Sequence, residues 1–206
     1  MTRVFVPGFG ASPAFYRAAV GDAWDVHEPP SYRRAPTFEA RVGFLVAHLE
    51  RSGPAVVGGH SMGAALAVAA AATRPGLVER LLLIAPAGLP LTKPIRRSLA
   101  DFADQVVRGA YAPRELALAI GSLLTAPCQA LRLGRTVRSL DLRRELNAVR
   151  AHAIRCDVVA CVGDTLTPPA HCREVARLSG GTCRELAARG GHAWLFVDPG
   201  AFAVWS

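Results

Sequence analysis

The stretch PAVVGGHSMGAALAVAAAAT, residues 54–73, decides the fold of this chain. Its first part, Ala55-Val56-Val57, is short and apolar, which favours a buried strand. Its last part is rich in alanine, the strongest helix former. Between the two lies Gly59-His60-Ser61-Met62-Gly63, with a glycine two residues before and two residues after the serine. The pattern predicts a strand, a tight turn and a helix, with Ser61 at the tip of the turn.

A G-x-S-x-G turn between a strand and a helix is typical of a nucleophile elbow. The turn must be tight if the serine hydroxyl is to stand clear of the backbone, and larger neighbouring side chains would clash there. In a chain with 19 glycines, the same letters can also arise as an ordinary Gly/Ser turn. Because the flanking strand and helix favour the elbow, we predict that Ser61 is a nucleophile.

Short apolar strands and helical patterns alternate on both sides of this stretch. Strands are predicted at 2–6, 24–27, 77–84, 158–162 and 182–186, and helices at 13–20, 38–51 and 169–178. Such alternation indicates an α/β fold with a mostly parallel sheet. The chain has 206 residues, of which 51% are hydrophobic, so it can bury a substantial core.

The alternation stops between residues 86 and 150. Four helical patterns replace it, at 94–110, 113–125, 127–139 and 141–152. We predict that 86–150 form a helical cap inserted into a core of 1–85 and 151–206. Residues 93–150 carry eleven basic and five acidic side chains, a net +6 of the formal +8 of the whole chain. This charge indicates either a solvated surface or attraction of an anionic substrate or acidic partner.

A nucleophilic serine needs an imidazole to take its proton and an acid to orient that imidazole. His192 lies in a Gly-Gly-His loop after the last predicted strand, where it can reach over a neighbouring strand end. His60 is a poor base, because adjacent residues of the elbow project in different directions. Asp164 follows the strand at 158–162, on the side of the sheet where α/β sites form. We therefore predict Ser61, His192 and Asp164 as the catalytic residues.

The order Ser61…Asp164…His192 and the motifs around it resemble the α/β-hydrolase fold family, of the esterase, thioesterase and meta-cleavage-hydrolase type. The elbow is similar to the family's elbow, and Asp164-Thr165-Leu166-Thr167-Pro168 to its acid loop. Gly191-His192 followed by Asp198-Pro199-Gly200-Ala201-Phe202 resembles its histidine loop and closing helix. The resemblance covers nearly the whole chain and implies oxyanion donors at the backbone N–H groups of Phe9 and Met62.

Two features depart from the pattern of this family. The β-hairpin with which its members usually open is missing before Thr2, so we expect a sheet of about six strands. The usual His-Gly of the oxyanion loop is Pro7-Gly8 here. The absent imidazole mostly supports loop structure, and the resemblance still implies an oxyanion hole.

The resemblance implies a serine hydrolase that cleaves a carboxylic ester or thioester through an acyl-enzyme intermediate. The expected partner is a small-molecule acyl substrate, and an anionic one is left open by the basic region. Two alternatives use the same fold: hydrolysis of a C–C bond and cofactor-free perhydrolysis. A third alternative is a non-catalytic protein that uses the fold to bind a ligand.

Composition argues against several other kinds of site and partner. Five cysteines, an odd number without a C-x-x-C pair, are unlike a disulfide framework or a zinc site and suit a reducing cytoplasm. We expect no metal and no cofactor. The apolar run 55–72 is interrupted by His60, Ser61 and glycines, so no membrane span is expected, and the first residues do not resemble a signal peptide. We find no nucleic-acid recognition motif, and the oligomeric state is left open.

Overall fold

The computed structural model describes residues 1–10, 12–91, 93–94, 96–97, 100 and 113–205. Within these residues, six strands form one sheet in the order β2-β1-β3-β4-β5-β6, and every neighbouring pair is parallel. The strands are β1 (Thr2–Val6), β2 (Asp25–Val26), β3 (Ala55–His60), β4 (Val78–Ile84), β5 (Arg155–Cys161) and β6 (Thr182–Leu186). The predicted α/β fold with a sheet of about six strands is confirmed.

Eight α-helices and three short 3-10 segments connect the strands of the described part. The α-helices are α1 (Pro13–Val20), α2 (Phe38–Ser52), α3 (Met62–Thr73), α4 (Pro113–Leu124), α5 (Pro127–Ser139), α6 (Arg143–Ala151), α7 (Pro169–Ser179) and α8 (Trp194–Val197). The 3-10 segments are Pro75–Leu77, Gly191–Ala193 and Pro199–Trp205. The last of these takes the place of the predicted terminal helix.

Two of the helices begin at residues whose side chains cap them. The Ser12 hydroxyl oxygen accepts a hydrogen bond from the Ala14 N–H at 3.3 Å, and Pro13 occupies the first helical position of α1. The Thr37 hydroxyl oxygen accepts from the Ala40 N–H at 3.2 Å at the start of α2. Both contacts satisfy donors that have no acceptor inside the helix. These helices therefore begin where the sequence predicted.

The core lies on both faces of the sheet because successive side chains of a strand point in opposite directions. Val4 and Val6 of β1 belong to one hydrophobic cluster, which includes most of α3. Phe5, between them, belongs to a second cluster on the other face together with Trp194. A parallel sheet covered on both faces explains why its strands are continuously apolar.

The two glycines of the elbow allow α3 to lie directly against the sheet. A Cβ atom on Gly63 would lie 2.0 Å from the carbonyl oxygen of Val6, and one on Gly59 would lie 2.6 Å from the Ala64 nitrogen. Both distances are far below a van der Waals contact, so these positions accept only glycine. The close approach places the start of α3 beside the loop that follows β1.

The helices α4, α5 and α6 agree with the predicted patterns at 113–125, 127–139 and 141–152. The pattern at 94–110 lies almost entirely outside the described residues. Helix α6 packs against α3 and α7, and α5 contacts α2. The division of the chain into a core and a separate cap at 86–150 stays a prediction.

Within the described part, which includes all five cysteines, every thiol is free. No single described helix is long and apolar enough to cross a membrane. The bent pair Leu116–Leu124 and Pro127–Ser139, with 105° between its helices, reaches that length and composition only when both helices are counted together.

Candidate active site

Ser61 lies between β3 and α3 in a backbone conformation that few residues other than glycine adopt. Its φ is 55°, a value that costs about 1–3 kcal/mol and is typical of functional sites. Hydrogen bonds hold it there: the Ser61 N–H donates to the Ile84 carbonyl at 3.0 Å, and its own carbonyl accepts from the Ala87 N–H at 3.1 Å. The end of β4 therefore maintains the sharp turn that the elbow pattern predicted.

The structure brings Ser61, His192 and Asp164 together in one line of hydrogen bonds. The Ser61 Oγ lies 3.0 Å from His192 Nε2, and His192 Nδ1 lies 2.8 Å from Asp164 Oδ2. The three residues lie after β3, β6 and β5, at the carboxyl ends of these parallel strands. Residues separated by 28 to 131 positions in the sequence thus meet at one edge of the sheet.

Asp164 is 3% exposed and fully hydrogen bonded. Its Oδ1 accepts from the N–H groups of Leu166 at 2.8 Å and Thr167 at 3.0 Å, and its Oδ2 lies 2.8 Å from the Thr167 hydroxyl. Burial alone would raise the pKa of Asp164, but the charge and hydrogen bond of His192 and the Thr167 donors outweigh burial and lower that pKa. The ionised carboxylate accepts the Nδ1–H of His192, which leaves Nε2 to accept the Ser61 hydroxyl proton.

The predicted oxyanion donors lie in the loop that follows β1, at Phe9, and at the first residue of α3, Met62. Val6 of β1 pairs with Gly59 of β3, so the loop carrying Phe9 runs beside the elbow. Helix α3 begins at Met62, so its N–H has no carbonyl four residues earlier in the helix to bond with. Both N–H groups are therefore placed at the edge of the sheet where Ser61 lies, and their role as donors stays a prediction.

Two tyrosine hydroxyls hold the N–H groups on either side of Phe9. The Gly8 N–H donates to Tyr16 Oη at 2.9 Å, and the Gly10 N–H donates to Tyr32 Oη at 3.0 Å. The Phe9 side chain is 36% exposed, and its ring centroid lies 5.8 Å from that of Tyr32. These contacts hold the loop in which Pro7-Gly8 takes the place of the usual His-Gly.

Sequence analysis missed three residues that contact this site. Thr167 was quoted only as part of the acid loop, yet its hydroxyl also lies 3.3 Å from His192 Nδ1. His60 was set aside as a base, but its ring hydrogen bonds to Tyr16 and to the backbone of His192. For Tyr16, on α1, nothing in the local pattern signals a contact with residues 44 positions away.

The described residues contain no group of three or more His, Cys, Asp or Glu side chains that could hold a metal ion.

Away from the site, the rings of His27 and His48 lie against each other with their centroids 5.1 Å apart. Burial, and after it the neighbouring His48, lowers the pKa of His27 to about 4.

The Alpha/beta hydrolase family matches this chain over residues 4–205. Because the match covers nearly the whole chain, the protein belongs to the α/β hydrolase family. The strained serine turn agrees with the elbow pattern, and the parallel sheet agrees with the alternation of predicted strands and helices. No curated protein matches the chain significantly.

Solved structures with the same fold resemble the chain over nearly its full length. An enol-lactonase from Burkholderia xenovorans LB400 is 21% identical with a TM-score of 0.72, and the match covers 100% of this chain and 90% of that one. A deformylase from Pseudomonas putida S16 is 18% identical with a TM-score of 0.74, covering 99% and 92%. A thioesterase domain from the curacin biosynthetic pathway is 16% identical with a TM-score of 0.64, covering 99% and 89%. At these identities the likeness shows the fold alone.

Proposed function

We propose that this protein is a serine hydrolase that cleaves a carboxylic ester or thioester, with Ser61 as nucleophile, His192 as base and Asp164 as orienting acid. The observation that carries the proposal is the unbroken line from Ser61 Oγ through His192 to a buried carboxylate, at 3.0 and 2.8 Å. A hydrogen bond from nucleophile to base, and from base to a third orienting group, is the geometry that activated serines share.

The reaction follows from the positions of these atoms. Ser61 Oγ attacks the acyl carbon while His192 Nε2 takes the hydroxyl proton, and the Asp164 carboxylate stabilises the imidazolium that forms. The imidazolium then gives its proton to the departing alkoxide or thiolate, which leaves an acyl ester on Ser61. Water attacks that ester with His192 again as base, and the free acid departs.

The backbone N–H groups of Phe9 and Met62 are proposed to stabilise the oxyanion of each tetrahedral intermediate. Each such donor contributes about 3 kcal/mol in acyl-transfer enzymes, because it is already aimed at the developing charge. The two tyrosine contacts beside Phe9 support the proposal, since they hold the loop without using the Phe9 N–H.

An anionic acyl ester or thioester is the substrate form that the net +6 of residues 93–150 would attract. Turnover of an anionic thioester that falls with ionic strength would support this form, and a clear preference for neutral short-chain esters would contradict it.

The experiment that tests the proposed function is labelling of the purified protein with a fluorophosphonate probe. We expect the wild type to be labelled, and Ser61→Ala and His192→Ala to lose the label. Ser52→Ala and His152→Ala are matched controls at the ends of α2 and α6, and we expect both to keep it. A folded wild-type protein that takes no label would refute the serine-hydrolase proposal and favour a non-catalytic binding protein.

Substrate panels separate the alternatives once labelling is established. Esters and acyl thioesters test the proposed reaction directly. A coloured ring-fission product tests C–C bond hydrolysis, and a carboxylic acid with peroxide tests perhydrolysis. Turnover of either of the last two in preference to every ester would replace the proposed substrate class while keeping the three catalytic residues.

A further inference from the structure

A second line of hydrogen bonds joins the oxyanion loop to the histidine loop and bypasses the Ser61 hydroxyl. The Gly8 N–H donates to Tyr16 Oη at 2.9 Å, and Tyr16 Oη lies 2.9 Å from His60 Nδ1. At the other side of the ring, His60 Nε2 lies 3.0 Å from the carbonyl oxygen of His192. The line therefore runs from the residue before Phe9 to the main chain of the catalytic histidine.

The direction of each bond in this line follows from its two ends. The His192 carbonyl can only accept, so His60 Nε2 must carry the proton and donate it. The Gly8 N–H can only donate, so it occupies a lone pair of Tyr16 Oη. With a neutral ring, His60 Nδ1 is then an acceptor, and the Tyr16 hydroxyl donates to it. One tautomer of His60 satisfies every donor and acceptor.

Burial keeps His60 in that neutral form. Tyr16 is 1% exposed and His60 is 4% exposed. Burial first, and the neighbouring His192 second, lower the pKa of His60 to about 3. The groups that face His60 are the Tyr16 hydroxyl, the His192 ring with its centroid 4.9 Å away and, through its charge, Asp164. The His60 ring therefore stays neutral at neutral pH and well below it.

The rings of Tyr16 and His60 are closely packed. A Cβ atom on Gly8 would lie 2.9 Å from Tyr16 Oη and 3.2 Å from His60 Nδ1. The Phe196 ring lies against both, with centroid distances of 5.0 Å to Tyr16 and 5.8 Å to His60. The line of hydrogen bonds thus connects the loop of Gly8 to the loop of His192 through two packed side chains.

We propose that Tyr16 and His60 are positioning residues, which hold the Phe9 N–H and the His192 imidazole in register with the Ser61 hydroxyl. This inference rests on the proposed hydrolase function. Neither side chain touches the substrate. Through the Gly8 N–H, Tyr16 positions the loop that carries Phe9. Through the His192 carbonyl, His60 fixes the position of the His192 main chain relative to the elbow.

The test compares Tyr16→Phe, His60→Leu, His60→Gln and the Tyr16→Phe/His60→Leu double variant with the wild type. The readouts are the rate of fluorophosphonate labelling, and kcat and KM for the best ester. We expect each single loss to lower the labelling rate and kcat about tenfold, less than the 10²- to 10³-fold loss of a direct oxyanion donor, with KM changed less than about threefold. Because the two residues act through one line, the double variant is expected to resemble the worse single variant.

His60→Gln retains an N–H that can reach the His192 carbonyl, so we expect partial recovery relative to His60→Leu. The matched control is His27→Leu, which removes another buried neutral imidazole. His27 directly follows β2, the outermost strand, and its ring packs against that of His48. This variant is expected to retain the wild-type rate per folded molecule. Nitrogen NMR of the wild type should show His60 as the Nε2–H tautomer without titration between pH 9 and 5.

The outcomes separate this inference from the proposed function. A wild type that takes no label overturns both. A labelled wild type whose Tyr16→Phe and His60→Leu variants react at the wild-type rate overturns the inference alone. Losses that only follow the folded fraction measured by circular dichroism, or that multiply in the double variant, assign the two residues an ordinary structural role and also overturn it.

Discussion

Two regions of the molecule are built in different ways. One is the carboxyl ends of the parallel strands, where Ser61 lies, and the other is the pair of helices α4 and α5. Every residue of β3 is buried, and the last four residues of β4 are buried too. In α4 and α5, by contrast, large apolar side chains face outward: Leu118 is 51% exposed, Leu124 67% and Leu131 52%. Close contacts therefore hold the strand ends that precede Ser61 and Asp164, while the helices around residues 113–139 are held by fewer buried side chains.

The two regions meet at the loop that carries Phe9. A Cβ atom on Gly134 of α5 would lie 3.4 Å from the Phe9 ring, and one on Gly10 would lie 3.7 Å from Leu123 of α4. We therefore expect the carboxyl ends of the strands to set the geometry of the proposed reaction, and the helices that contact Phe9 to influence the choice of substrate.

The largest effect is expected from Asp164→Asn, which tests whether the sheet edge carries the chemistry. An amide at this position favours the wrong tautomer of His192, so kcat is expected to fall about 10⁴-fold. Steady-state kinetics with the best ester measures it. Asp157→Asn changes a carboxylate on β5 that bonds Arg80 and Thr182 instead, and its kcat is expected to stay within threefold. A loss below tenfold for Asp164→Asn would contradict the assigned role.

Gly63→Ala is expected to be the most destabilising small substitution in the elbow. Its new methyl group would lie 2.0 Å from the Val6 carbonyl oxygen, which is backbone and cannot move aside. We expect a loss of about 3 kcal/mol or more in the free energy of unfolding. Gly43→Ala in α2 is the control, since its methyl would meet no described atom within 4 Å, and it is expected to stabilise by up to about 1 kcal/mol. Urea unfolding that ranks the two the other way would contradict the packing argument.

A matched pair of leucines sharpens the contrast between the two regions. Leu83 of β4 is fully buried, whereas Leu124 at the end of α4 is 67% exposed. Leu83→Ala is expected to cost about 3 kcal/mol, and Leu124→Ala less than about 0.5 kcal/mol. Chemical denaturation measures both. If Leu124→Ala proved as costly as Leu83→Ala, the view that α4 is held by few buried side chains would be wrong.

Acid is expected to destabilise the protein through two buried histidines, His27 and His60. Both lie outside residues 86–150, which contain no histidine. Burial lowers the folded pKa of His60 to about 3 and of His27 to about 4. The unfolded chain protonates both rings below about pH 6.5, so stability is complete above that pH and declines as the pH falls toward the folded values. By pH 5 each ring should remove about 2 kcal/mol from the free energy of unfolding.

Urea titrations at pH 7 and pH 5 measure this decline. His27→Gln is expected to show a smaller decline than the wild type, by about 2 kcal/mol. A wild-type protein equally stable at both values would show that the two histidines are not kept neutral by burial.

Much of the fold was predicted from local pattern. The apolar strands, the starts of α1 and α2 and the alanine-rich α3 lie at or near the predicted positions. The second strand shows the limit of this method, since the strand predicted at 24–27 is only Asp25–Val26 in the structure. As the outermost strand, β2 pairs with one neighbour only, and the local sequence pattern does not predict how long that pairing is.

The order of Ser61, Asp164 and His192 along the chain, and the strand ends they follow, were legible in the sequence because glycine turns and strand ends are local features. The contacts among them were not, since a 3.0 Å bond across 131 positions depends on how every intervening element packs. The same reason hid the contacts of His60 with Tyr16 and of Thr167 with His192. Each of these contacts joins positions at least 25 apart, and only the packing of the helices on both faces of the sheet brings them together.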